Sequence, residues 1–336
     1  VDNVDNSKKG LNLTDYKLKA CNKRINKIMT AKRKTININA TEGIIEGSLV
    51  DMPFITCKKT NEIINVVNYN WLDSNGIQHG VEIVGGKYGI PTTEEFDVLI
   101  ALLKIFATNN KIEFGEAVNE ENYNINNPEM IITFSLNQIA REMGKKSFSS
   151  SVLNRIKQAI YTLKQTTISN RQAGALYDIN NKKYLESSEK LFSIIEEANF
   201  YSLQAHKKSP KKDLNSVRLG KFFYQSIKGG YFKYINYDTY KQLKNGVAKR
   251  IFLCLTKWRN NKLYITLKYD TLYSRIPLED DIPKKQKKAT LKRACNALVK
   301  IDYLQSYEMK QHYVTFIFGN NKIKGSLKGV VEITKS

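Results

Sequence analysis

The hydrophobic pattern changes period several times along the chain, and each change predicts an element. From Thr35 to Gly89 it is strand-like: the runs "EIINVVNYNW" and "IQHGVEIV" flank "LDSNG", which predicts a β-hairpin. After Pro91 the spacing lengthens to that of a helix, with Phe96, Leu99, Ile100, Leu103 and Phe106 on one stripe. Thr92 or Thr93 can cap this helix, and Glu94, Glu95 and Asp97 suit its positive end. Ile131, Thr133 and Ser135 alternate as a short strand, and Ser135 can cap a helix that ends at Gly144. A further helix runs through "SSSVLNRIKQAIYTLKQ", with Leu153, Ile156, Ile160 and Leu163 facing inward. "QTTISNRQ" and "KLFSIIEEANFYS", separated by an insertion over about 172–188, are expected to pair as a hairpin.

Helix, strand, helix, helix, hairpin is the order of a winged helix, a variant of the helix-turn-helix. "HKKSPKKDLNS" (206–216) then reads as a basic linker. Two more helices, punctuated by Gly229-Gly230 and Asn245-Gly246, lead to "LYITLKYDTLYSRI", which echoes "IITFSLNQIAREMG". The next helix, about Lys285 to Lys300, repeats the earlier one: Leu153, Arg155, Ala159, Ile160 and Leu163 match Leu291, Arg293, Ala297, Leu298 and Ile301 at a constant offset of 138 (291 − 153). "YLQSYEM" and "HYVTFIF" follow as a second hairpin. The sequence therefore predicts an α+β fold of two tandem winged-helix domains, with a β-rich segment before the first and a basic N-terminal arm. The expected bounds are 1–35 for a flexible arm and 36–205 for the first domain with its preceding hairpin. The linker over 206–216 then leads to a second domain at 217–320 and a tail at 321–336.

Charge narrows the function. The chain carries 54 Lys+Arg against 32 Asp+Glu, a formal charge of +22, in a composition otherwise typical of a globular protein. Such an excess repels itself unless a polyanion neutralises it, and nucleic acid is the first candidate before an anionic membrane. The longest apolar run, "VLIALL", is far below the roughly 20 residues of a membrane span, so no membrane partner is expected. The first ten residues are polar and predict no signal peptide. Four scattered cysteines without a CxxC read as reduced thiols of a cytoplasmic protein, Cys254 as an apolar filler. His79, His206 and His312 are isolated and read as surface histidines; no metal or other cofactor is expected. "GVEIVGGKY" misses the spacing of a phosphate loop and ends in Tyr88 where that loop needs Ser or Thr. A protein with no catalytic activity of its own follows.

The candidate contacts cluster on the second helix of each domain. Lys284, Lys285, Lys287 and Lys288 crowd a helix N-terminus that intrinsically prefers acidic residues, which points to an external phosphate. Beyond them Lys292 and Arg293 can reach guanine and Asn296 can read adenine, in the part of a recognition helix that meets base edges. In the first domain the equivalents are Asn154, Arg155, Lys157, Gln158 and Tyr161. Lys164 and Arg171 are expected near the start of its wing, and Lys310 and His312 at the tip of the second.

"VRLGKFFYQSIKGGYFKYINYDTYKQLKNGVAKRIFLCLTKWR" (Val217 to Arg259) and "GIPTTEEFDVLIALLKIF" (Gly89 to Phe106) resemble blocks of bacterial plasmid replication initiators of the replication initiator protein A type, a resemblance extending over about 40–320. It implies binding of double-stranded DNA at directly repeated origin sites (iterons) and recruitment of host replication proteins such as the replicative helicase or initiator. It also implies a homodimer through the first winged helix away from the origin. The competing readings are a winged-helix repressor on a palindrome, an origin-nicking enzyme using one of the tyrosines, and an RNA-binding protein. The missing histidine pair argues against the nicking enzyme, and the missing aromatic strand motif against RNA.

Overall fold

The computed structural model describes residues 34–319 except 53, 58–62, 74–75, 110–111, 116–129, 187–189, 202–214, 277 and 279–281. The expected arm, apart from Lys34 and Thr35, and the expected tail therefore lie outside the described residues. The chain divides into Val1–Lys34 and one compact unit, Thr35–Ser336.

Strand β1 (Glu42–Glu46) runs directly into a buried five-residue helix, α1 (Gly47–Asp51). Periodicity predicts strand here, but a segment buried on all sides has no polar face to set a period. Glu46 makes the turn: its carboxylate accepts the Leu49 N–H at 3.0 Å. The expected hairpin follows as β2 (Val66–Leu72) and β3 (Gln78–Val84), with Trp71 opposite His79. Its turn is closed by Asp73, whose Oδ1 accepts the Ile77 N–H at 2.9 Å. The glycines of "GVEIVGGKY" serve close packing: a Cβ on Gly85 would stand 2.2 Å from the Gly89 carbonyl carbon.

Helix α2 (Thr93–Asn109) starts with a capping box, the Thr92 N–H donating to Glu95 at 2.8 Å and Thr92 Oγ1 accepting the Glu94 N–H at 3.2 Å. Strand β4 (Ile131–Phe134), helix α3 (Leu136–Glu142) and helix α4 (Ser150–Gln165) follow. Ser135 caps α3 through the Gln138 N–H at 3.0 Å, and Gly144, at φ 71°, ends it as expected.

Strand β5 (Thr167–Gln172) pairs with β3 and with β6 (Leu191–Ser193), giving a four-stranded antiparallel sheet of order β6-β5-β3-β2. Strands β7 (Ile195–Asn199) and β8 (Asn215–Leu219) join β4 in a three-stranded sheet of order β7-β8-β4. Helix α5 (Lys221–Lys228), strand β9 (Phe232–Asn236), helix α6 (Tyr237–Gln242) and helix α7 (Gly246–Trp258) lead into the last unit. That unit is β10 (Tyr264–Lys268), α8 (Tyr269–Tyr273), α9 (Lys284–Lys300), β11 (Ser306–Met309) and β12 (Tyr313–Ile317). Its sheet has the order β10-β12-β11.

With β5, β6 and the chain between them set aside as an insertion that builds the other sheet, two stretches share one order, α2-β4-α3-α4-β7-β8 and α7-β10-α8-α9-β11-β12, and one sheet plan, in which the last strand lies between the other two. The expected long hairpin forms only in part, because β5 also pairs with β3 and so belongs to the sheet of the first hairpin. The closing strand of the first unit is instead β8, drawn from the end of the expected linker and the start of the expected second domain. Val217 and Leu219 are buried there, with Val217 opposite Ile132. The boundary read at 206–216 is corrected accordingly: it falls between two strands of one sheet, and 206–214 lie outside the described residues.

Burial also shifts the repeat. Ile156, Ala159, Ile160 and Leu163 are the buried apolar residues of α4, at the spacing of Leu291, Ala294, Cys295 and Leu298 in α9. The offset is 135 (291 − 156), not 138. A slip of three residues is close to one helical turn and leaves the apolar period almost unchanged.

The two halves are joined by pairing of β1 with β9, Ile44 opposite Tyr234. Cations from the second half also grip α1. Arg250, buried on α7, donates to the Leu49 carbonyl at 3.0 Å and the Arg275 carbonyl at 2.8 Å. Lys257 donates to the Gly47 carbonyl at 2.9 Å and pairs with Asp51, while Arg275 donates to the Asp51 carbonyl at 3.1 Å. Reciprocally, Asp97 of α2 accepts from Tyr240 at 2.7 Å and Lys249 at 2.5 Å.

Candidate nucleic-acid interface

Helix α9 buries Leu291, Ala294, Cys295 and Leu298 and exposes Lys284, Lys285, Lys292, Arg293 and Asn296. Its N-terminus has no side-chain cap and no acidic residue in the first turn. The positive end of the helix dipole and Lys284, Lys285, Lys287 and Lys288 therefore share one end of the helix, the arrangement that favours an anion. Lys287 and Lys288 are half-buried. Lys288 turns away from the outward face that periodicity assigns it. Its Nζ donates to the Gln311 carbonyl at 3.1 Å and stands 4.7 Å above the Tyr269 ring. Tyr269 in turn donates to the Lys310 carbonyl at 2.9 Å, so helix, α8 and the β11–β12 turn are tied together. Lys310 is exposed at that turn and lies 3.2 Å from Glu308, whose hydrogen bond and charge raise its pKa. His312 is exposed beside it.

Arg293 donates to Thr290 Oγ1 at 3.1 Å along the helix surface. Asn296 Oδ1 accepts the Tyr307 hydroxyl at 2.6 Å, which links the helix to β11.

Helix α4 exposes Asn154, Arg155 and Gln158 and leaves Lys157, Tyr161 and Lys164 half-buried. Tyr161 packs on Phe200, just after β7, with ring centroids 5.1 Å apart, and Lys157 Nζ lies 5.0 Å from the Phe200 centroid. At the corrected offset Lys157, Gln158 and Tyr161 correspond to Lys292, Arg293 and Asn296. Tyr161 and Asn296 each touch an aromatic residue in or next to the strand that follows in the sheet, so the two units share a helix-to-strand contact with different chemistry.

Arg171, expected near the start of the first wing, sits on β5 opposite Gly80, in the four-stranded sheet, and its guanidinium pairs with Glu82 at 2.6 Å. His79, read as a surface histidine, is instead buried, stacks on Trp71 and has Nδ1 2.6 Å from the Gly174 carbonyl. Sequence reasoning also passed over Lys146 and Phe148, exposed in the segment between α3 and α4, and over Phe200 and Tyr307. A two-lysine run before an aromatic marks the first pair; nothing short of the strand register marks the second.

Among the described residues no group of three His, Cys, Asp or Glu side chains is placed to hold a metal ion. No described helix is long and apolar enough to cross a membrane. Burial raises the pKa of Cys254 and pushes that of Cys295 up to about 12, in keeping with thiols packed in the core.

The fold is a mixed α+β architecture built on a repeated unit whose second helix presents polar and basic side chains. The family model of replication initiator protein A matches residues 46–273, well over half of the chain, and the chain belongs to that family of replication initiators. The match includes α4 and ends before α9. No curated protein matches. Among solved structures, the chain is similar to the crystal structure of selenomethionine derivatives of domains 2 and 3 of RctB, with TM-score 0.54 and 12% identity over 80% of this chain and 96% of that one. A second structure of RctB domains 2–3 gives TM-score 0.50 and 13% identity over 81% and 96%. At such identities the likeness is one of fold.

Proposed function

We propose that this initiator binds double-stranded DNA at the repeats (iterons) of a plasmid origin through two winged-helix units. It then brings host replication proteins, such as the replicative helicase or a host initiator, to the bound site. In this reading α4 and α9 are the recognition helices, and β7–β8 and β11–β12 are the wings. The single observation that carries it is the repeated order and sheet plan, with a polar, basic second helix in each copy. Lys284, Lys285 and Lys287 take phosphates and set position, while Lys292, Arg293 and Asn296, and Asn154, Arg155, Gln158 and Tyr161, meet base edges. Lys157, Lys164 and Lys310 add charge near the two wings. The chain contributes binding energy and no catalytic step, and it acts in the bacterial cytoplasm, with the family resemblance adding a homodimer through the first unit away from the origin.

The test is selection of bound duplexes from a random library at about 150 mM salt, where bare charge attraction is suppressed. A motif of about two helical turns with two unlike halves is expected, because Lys157, Gln158 and Tyr161 differ from Lys292, Arg293 and Asn296. A symmetric palindrome would move the reading to a repressor; no enrichment would end it.

A further inference from the structure

We infer that Tyr307 is a positioning residue: it holds the carboxamide oxygen of Asn296 so that the second unit offers chiefly hydrogen-bond donors to the base edge it meets. The inference rests on α9 being the helix that reads DNA.

Asn296 is exposed on the same face as Lys292 and Arg293. Its Oδ1 accepts the Tyr307 hydroxyl at 2.6 Å, a short and therefore well-directed bond. Tyr307 is held by the sheet. It lies on β11 opposite Phe316, a core residue, and is itself half-buried. Desolvation raises its pKa, so the hydroxyl keeps the proton it donates.

A carboxamide free to rotate presents an acceptor and donors together and pairs bidentately with adenine N7 and N6. With one lone pair of Oδ1 held by Tyr307, the free hydrogen-bonding capacity of the carboxamide is weighted toward the two donors of Nδ2. Their partners in the major groove are acceptors: guanine O6 and N7, or thymine O4. The adenine preference read from residue type alone therefore gives way to guanine or thymine. The first unit lacks this device. Tyr161 stands at the position equivalent to Asn296, and its partner Phe200 has no hydroxyl.

The experiment is the same duplex selection with the full chain, run in parallel for wild type, Asn296→Ala, Tyr307→Phe, Lys292→Ala and Arg293→Ala. The base position that loses its preference in Asn296→Ala identifies what Asn296 reads. In wild type that position should favour guanine or thymine over adenine by about tenfold, within what one directed base contact supplies. In Tyr307→Phe adenine should become accepted there to a similar degree, while all other positions and the salt slope stay as in wild type. Retention of those other positions also shows that the variant is folded. Adenine or cytosine at that position in wild type would overturn the inference, as would an unchanged preference in Tyr307→Phe when Asn296→Ala has altered it. If Asn296→Ala, Lys292→Ala and Arg293→Ala change no position at all, α9 does not read DNA, and the functional reading of that helix falls together with this one.

Discussion

Glu46 shows how much one side chain carries in this fold. It ends β1, caps α1 through the Leu49 N–H, and accepts the Ser226 hydroxyl at 2.5 Å, all without exposure to solvent. Burial raises its pKa; the bonds from Ser226, Ser48 and Leu49 and the charge of Lys257 pull it back only in part. The folded chain therefore holds a proton at pH values where the unfolded chain has lost it. The resulting stabilisation is full below the ordinary carboxyl pKa and is lost as pH rises through the raised value. Glu46→Gln carries no charge; its Oε1 can still accept the Leu49 N–H, while the bond to Ser226 reverses, Nε2 donating to the hydroxyl. Its Tm relative to wild type should climb between pH 4.5 and pH 8, followed by circular dichroism; parallel profiles would show that Glu46 is ionised at no cost. Local signals such as Ser135 at its cap and Gly144 at a positive φ are legible in sequence because a residue and its neighbours suffice to make them. The roles of Glu46, and of His79 beneath Trp71, are not, since burial alone gives them meaning.

At the scale of elements, the proposed function divides α4 and α9 between side chains that position the protein on DNA and side chains that select a sequence. Lys285 stands exposed at an N-terminus with no acidic residue in its first turn, where phosphate is the natural occupant. Lys285→Ala should weaken binding to all duplexes alike and lower the slope of log K against log salt by about one unit, as read from titrations between 50 and 200 mM. Arg293 lies one turn from the wing contact on the outward face. Arg293→Ala should cost about 1–3 kcal/mol on the best site and little on random DNA. Equal losses for the two variants on both kinds of DNA would erase the distinction. The helices themselves are plain in the sequence, because their apolar residues recur at 3.6-residue spacing. Their mutual register is not, because a slip of three residues preserves that spacing.

For the whole molecule, the decisive feature is how two units are fastened into one body. Among the described residues Arg250 is the most buried cation, and it joins the Leu49 and Arg275 carbonyls. Arg250→Met fills much of the same space but leaves both carbonyls without that donor. The cost to stability should be on the order of 3 kcal/mol in urea unfolding. A loss under about 1 kcal/mol would mean that the β1–β9 pairing and the Lys257, Arg275 and Asp97 contacts join the halves without it. The charge of +22 acts at this scale too, and it makes salt dependence a property of the entire chain rather than of one helix.

The sequence by itself determined the polar and basic faces of the two second helices, the first hairpin and its turn, most helix caps and the family. These follow from short-range periodicity, local cap chemistry and net charge, which need no distant partner. Only the tertiary structure decided that β8 closes the first unit, that β5 places Arg171 in the sheet of the first hairpin, and that Lys288 and Asn296 are bound to the β11–β12 hairpin. Strand partners far apart in sequence are chosen by the complementarity of two buried faces. A side chain's free atoms are known only once its neighbours in space have taken theirs.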